Sequence, residues 1–188
     1  MAVSLVGEVV NSCDAVTGFT NGNISTDDDF VEGTGAIGLK ISSTTTDMVT
    51  TTLGAGAPYD FSSGGAEEGY AIIMWFNTKT PINATTGLRV RVGDGTSTGD
   101  WYVMPTGFYK GGFLTQMIAP ANRFDAVTGS WTTSGNVAQL SAVDRMGGVF
   151  TTTTSIMGNF NNCQIDQITI GLGARVDAGT TGTPNTFE

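Results

Sequence analysis

A chain of 188 residues with 39% hydrophobic side chains can bury one substantial core, since β-sandwiches run to roughly 200 residues as single domains. Only 13% of its residues are charged and the net charge is −9; an acidic surface with no Lys or Arg cluster repels phosphate backbones and anionic lipid heads, which argues against nucleic-acid and membrane partners. The absence of histidine excludes Ser-His-Asp and Cys-His catalysis and the usual zinc sites.

The 27 glycines and the runs of Thr and Ser favour turns and strands over helices. Two-residue alternation dominates along the chain. Residues 3–10 form a first strand candidate, and this start has no basic n-region and too short an apolar run for a signal peptide. The chain is therefore expected to fold where it is made. Ile37, Leu39 and Ile41 alternate with Gly38, Lys40 and Ser42, which predicts a strand with one face on the core and one on solvent. Residues 48–53 are a weaker strand candidate. Residues 70–76 (YAIIMWF) are apolar throughout, which marks a central strand covered on both faces, either by the chain itself or by a partner.

Leu88, Val90 and Val92 alternate with Arg89 and Arg91. The polar stretch 93–100 then reads as a hairpin loop, followed by strand candidates at 101–104 and 113–118. Residues 137–146 are the one place for a short helix or helical turn. Strand candidates follow at 148–152 and at Ile168, Ile170 and Leu172. Residues 178–188 read as a flexible polar tail able to reach a neighbouring subunit. No segment approaches the 18 or so apolar residues of a membrane helix. The expectation is an all-β domain over residues 1–177, an antiparallel β-sandwich of jelly-roll type with little or no helix.

Motifs for chemistry are sparse. Cys13 and Cys163 form no CxxC pair and read as two buried or half-buried free thiols; a disulfide between first and last strands is the alternative. Gly33-Thr34-Gly35-Ala36-Ile37-Gly38 matches GxGxxG, but Asp27-Asp28-Asp29 precedes it and an alternating strand follows. A dinucleotide fingerprint requires a strand before and a helix after. Asp27-Asp28-Asp29 and Glu67-Glu68 could supply a glycosidase acid pair, yet adjacent acids in glycine-rich loops are commonly just solvated. Calcium fits the ligand types better: Asp27, Asp29 and Asp166 are the first candidates, with Asp94 and Asp100. No calcium-loop spacing is present, so no cofactor is required.

Trp101, Tyr102, Phe108, Tyr109 and Trp131 lie in or beside predicted loops. Trp101, Tyr109 and Trp131 are the candidates to contact a glycan or a protein partner; packing in the core or at a subunit interface is the competing reading. Asn23-Ile24-Ser25 and Asn83-Ala84-Thr85 match the glycosylation sequon and read as polar loops.

The order of features resembles the jelly-roll sandwich of carbohydrate-binding modules and galactose-binding-like domains. An early loop leads into EGTGAIGLKIS (residues 32–42), a central apolar strand follows in GYAIIMWF (residues 69–76), and a late strand carries an acid in QIDQITIG (residues 164–171). The Thr/Gly richness, few charges and absent histidine are also similar to tailed-bacteriophage virion proteins: head decoration proteins, head fibres and tail-associated sandwiches. The first resemblance implies the fold. The second implies a non-catalytic virion structural protein that decorates or stabilises a capsid, made in the host cytoplasm, with virion proteins and copies of itself as partners. A lectin-like module or a tail-associated host-recognition protein is the alternative.

Overall fold

The computed structural model describes residues 7–26, 30–31, 33–62, 65, 70–82, 87–94, 98–103, 112, 115–120, 137–155 and 160–171. Among the described residues ten strands follow one another: β1 (Gly7–Asn11), β2 (Asn23–Ser25), β3 (Ala36–Leu39), β4 (Thr45–Thr50), β5 (Ala71–Thr78), β6 (Leu88–Gly93), β7 (Thr98–Val103), β8 (Thr115–Pro120), β9 (Arg145–Thr151) and β10 (Cys163–Gly171). A 3-10 helix, Val137–Ala142, precedes β9. The helical expectation for 137–146 therefore holds only over its first part. Its last two residues, Arg145 and Met146, open β9, where Met146 faces the core and Arg145 does not. Among the described residues, no helix is long and apolar enough to cross a membrane.

The strands form two antiparallel sheets. One runs β2-β3-β10-β5-β8, with β1 also paired to β10; the other runs β4-β9-β6-β7. β3 pairs with the first part of β10 and β1 with its last part, so two strands share one side of β10. The apolar faces of the sheets meet. Ile72, Met74 and Phe76 of β5 and Ile165, Ile168 and Ile170 of β10 pack in one core with Leu88, Val90 and Val92 of β6 and Met146 and Phe150 of β9. Phe76 and Phe150 touch edge to face across the sandwich, with ring centroids 5.7 Å apart, a favoured aromatic geometry. Gly148 allows this approach. A Cβ there would come within 2.8 Å of the Phe76 ring.

The alternation in β6 appears as expected, with Leu88, Val90 and Val92 buried and Arg89 and Arg91 half-buried. β5 is buried on both faces. Ile72, Met74 and Phe76 point into the core, while Ala71, Ile73 and Asn77 on the other face are also buried, Ile73 at 3% exposure. Trp75, on that same face, is half-buried, so the chain itself covers most but not all of β5. β10 differs from its sequence reading: its non-core face, with Gln164, Asp166 and Thr169, is buried rather than solvated. Gln164 donates to Ser25 Oγ (2.6 Å) and accepts from Asn77 Nδ2 (3.2 Å).

One end of the sandwich is tied by Asn162, which is fully buried. Its side chain accepts from the Ile41 N–H (2.7 Å) and donates to the Ile41 carbonyl (2.8 Å). Its own N–H donates to the Leu39 carbonyl and its carbonyl accepts from the Lys79 N–H (2.7 Å). Asn162→Ala would leave two backbone groups unsatisfied, at about 2–3 kcal/mol. Chemical denaturation should read that loss; a change under about 0.5 kcal/mol, typical of a surface substitution, would contradict the assignment.

Candidate functional site

Cys13, Asp14 and Asp166 gather about a bulge in β10. The pairing of β10 with β5 shifts between Asp166 and Thr169, and that of β1 with β10 shifts between Val9 and Asn11. Such bulges leave a residue outside the ladder and re-aim its neighbours. Here Gln167 takes a left-handed backbone, φ 44°. Cys13, also left-handed at φ 62°, brings its thiol to this irregularity, where the Gln167 and Ile168 N–H groups act to favour its ionised form. The Asn11 side chain accepts from the Cys13 N–H (2.8 Å), holding the turn that delivers the thiol.

Two carboxylates beside Cys13 hold the segment before β3. Asp14 Oδ1 accepts from the N–H groups of Thr34 (2.6 Å) and Gly35 (3.2 Å). Asp166, fully buried, accepts from the Val31 N–H at Oδ2. Gly33 sits between these contacts at φ 78°, a conformation that costs glycine little. The stretch matching GxGxxG is thus a turn leading into a strand, as its context predicts. The Thr34 N–H is the first reason that the Asp14 carboxyl titrates below its ordinary range: a hydrogen bond to the ionised form favours it. Stability from that contact is present above the ordinary carboxyl pKa and is lost as pH falls through the lower folded value.

Both cysteines are buried free thiols. Cys163 opens β10 opposite Thr78 and Leu39, several residues from the Gln167–Ile168 bulge that receives Cys13, so the register keeps them apart. Burial, then the Asp166 charge, pushes the Cys13 thiol far above its ordinary value, and burial pushes Cys163 up to about 12. Neither is a thiolate at neutral pH, and the thiolate is the nucleophile and metal ligand. The linkage has a definite sign. Both folded values lie above the unfolded 9.0, so the contribution is intact below pH 9 and is lost as pH rises from there towards the folded values. A Cys13→Ala/Cys163→Ala variant should show a flatter stability profile between pH 9 and 11 than the natural chain. Parallel profiles would contradict the burial of these thiols.

Of the calcium candidates, only Asp166, Asp94 and Asp100 fall on described residues; Asp27 and Asp29 lie outside them. The Asp166 contact reaches Val31, close in sequence to Asp27 and Asp29. Asp94 is half-buried just after β6, and Asp100 lies in β7 opposite Arg91, remote in the strand order from β10. Among the described residues, no group of three or more Cys, Asp or Glu is placed to hold a metal ion.

Of the contact candidates, Trp101 lies in β7, while Tyr109 and Trp131 lie outside the described residues. β7 ends the four-stranded sheet. Its register with β6 passes from Val90↔Tyr102 to Arg91↔Asp100, so Trp101 is the extra residue of a bulge on an edge strand. Asn23-Ile24-Ser25, expected as a loop, is instead the short edge strand β2, held by pairing with β3 and by Ser25 beneath Gln164. Asn83-Ala84-Thr85, Glu67 and Glu68 fall outside the described residues.

Sequence reasoning did not find Asp14, Asn162 or Gln164. Asp14 meets Thr34 and Gly35 about 20 residues on, and Asn162 meets Ile41 at a separation of 121 residues. Neither contact leaves a local pattern. A comparison with known families finds no family model that matches this chain, and a comparison with curated proteins finds no match.

Proposed function

We propose that this chain is a non-catalytic structural domain of a tailed-bacteriophage virion that decorates or stabilises the capsid. Its surface contacts are with other virion proteins and with copies of itself. The observation that carries the reading is the use made of its reactive groups. Cys13 and Cys163 are buried and protonated, and the carboxylates of Asp14 and Asp166 are hydrogen-bonded to backbone amides. Groups committed to holding the fold are poor candidates for acid, base or nucleophile. The resemblance to virion proteins supplies the setting, and the acidic surface suits a partner kept away from packaged DNA. We extend the two-sheet sandwich to jelly-roll type on the order of its motifs.

The bulge at Trp101 favours a second reading, a carbohydrate-binding module or host-recognition protein, because bulges on edge strands recur next to binding sites. A glycan array and a turnover panel separate the two. The proposal expects neither hydrolysis nor saturable sugar binding. Sugar binding abolished by Trp101→Ala or Trp131→Ala would replace it with the lectin-like reading, and turnover lost on neutralising an Asp or Glu would replace both.

A further inference from the structure

β4 lies at one end of the four-stranded sheet, and a bare edge strand is a template for pairing with another chain. Residues 18–21 cover this edge. The Thr20 N–H donates to the Val49 carbonyl (2.8 Å) and the Thr51 N–H to the Gly18 carbonyl (3.1 Å). The Val49 N–H donates to Thr20 Oγ1 (3.2 Å), and Phe19 forms a bridge with Thr50. The cover is pinned at its end by Asn21, whose Nδ2 donates to the Asp47 carbonyl (2.9 Å) and to Asp47 Oδ1 (3.3 Å).

The next position requires glycine. Gly22 sits at φ 125°, and a Cβ there would fall 2.5 Å from Ile37 Cγ2. The fold therefore uses Asn at 21 and Gly at 22, the one Asn-Gly pair in the sequence. Such a pair is chemically labile. The main-chain nitrogen after an asparagine can attack the side-chain Cγ, and glycine leaves that nitrogen unshielded by any side chain. Asn21 is exposed to water. Among the described residues the Gly22 N–H makes no hydrogen bond that would have to break before the attack.

We propose that Asn21-Gly22 is a self-modification site: Asn21 deamidates in the folded chain, and the product releases the cover of β4. The bond from the Gly22 nitrogen to Asn21 Cγ forms as the Cγ–Nδ2 bond breaks. Nδ2 leaves as ammonia, carrying the proton of the Gly22 nitrogen, and a five-membered imide remains. Water then opens the imide. Cleavage of the new Cγ–N bond leaves an aspartate; cleavage of the original peptide bond leaves an isoaspartyl linkage with one extra methylene in the main chain. Either product lacks both N–H donors to Asp47 and places a carboxylate close to the Asp47 carboxylate. Arg91, 3.5 Å from Asp47 Oδ2, offsets part of that repulsion but replaces neither lost bond. With its pin gone, the 18–21 segment loosens, and the main-chain groups of Val49 and Thr51 become available to a neighbouring strand.

Ageing the purified chain at physiological temperature in mildly alkaline buffer tests this without any virion, so the outcome is independent of the functional proposal above. Peptide mass spectrometry locates the gain of one dalton, and an isoaspartyl methyltransferase labels the isoaspartyl product. Amide exchange at Val49 and Thr51 reads the cover. The expected result is modification at Asn21 ahead of every other asparagine. Exchange at Val49 and Thr51 should then accelerate about tenfold in the modified chain, the effect of losing one or two hydrogen bonds. An Asn21→Asp variant should show the faster exchange from the outset. An Asn21→Gln variant, whose longer side chain cyclises far more slowly, should hold its exchange constant over the same period. The proposal is overturned if another asparagine is modified first, or if Asn21 is modified only once the chain is unfolded in denaturant. It is overturned equally if the modified chain and Asn21→Asp exchange Val49 and Thr51 no faster than the fresh chain.

Discussion

Phe150→Ala is expected to cost about 3–5 kcal/mol, the range for deleting a buried phenylalanine ring. The ring is fully buried and meets Phe76 from the opposite sheet at 5.7 Å. Its removal takes away apolar burial and opens a cavity where the sheets touch. Collapse into that cavity is limited because the surrounding strands are fixed by pairing: β9 lies between β4 and β6, so moving it breaks two ladders. For a domain of this size, 1 kcal/mol shifts Tm by about 2–4 °C, so a fall of roughly 10 °C is expected. Phe150→Leu should cost less, because it returns most of the volume. If Phe150→Ala melts within about 2 °C of the natural chain, the sheets are not packed through this contact.

Asp166→Ala should be the next most damaging change, at about 2–3 kcal/mol, because it removes a buried charged acceptor from the Val31 N–H. The loss should centre on the segment before β3, read as faster amide exchange at Val31 in the variant. Asp166→Asn keeps an acceptor oxygen in place and should retain much of the stability. It also removes the negative charge beside Cys13, which contributes to raising that thiol. The Cys13 titration should therefore move down in Asp166→Asn, followed through its S–H stretching band. An S–H band that titrates at the same pH in both proteins would show that Asp166 does not act on Cys13.

How much of this was legible follows from whether the signal is local. β6 was plain because Leu88, Val90 and Val92 face one core and their neighbours do not; side-chain direction alternates along any strand. β5 was legible as a strand but not in its covering, because seven apolar residues in a row carry no information about what lies on the second face. β2 was invisible. Its three residues, Asn23–Ser25, become a strand only through Ala36, Ile37 and Gly38 across the ladder. Tertiary context there overrides a weak β-propensity. Residues 145–146 carry no strand signal of their own, because Met146 shows no alternation until its partners Thr50 and Val92 are known.

The candidate site was legible in residue type and not in role. Asp166 stood out as an acid among aliphatics in a late strand, which marked it as unusual, but an acid in a strand can equally bind an ion or anchor a loop. Only the contact with Val31 decides that it anchors one. Trp101 stood out as an aromatic beside a loop, whereas its position at a bulge depends on the β6 register. Asp14 gave no signal, since the N–H groups that donate to it, those of Thr34 and Gly35, lie about 20 residues away in sequence.

The proposed function places this domain in a virus particle. Quantitative mass spectrometry of purified particles, with heads and tails fractionated, tests it most directly. The expected result is the chain in the head fraction at a fixed copy number per particle. Recovery from tails alone would move it from decoration to the tail while keeping the structural class. Absence from particles, with the chain found free in the infected-cell lysate, would contradict the claim.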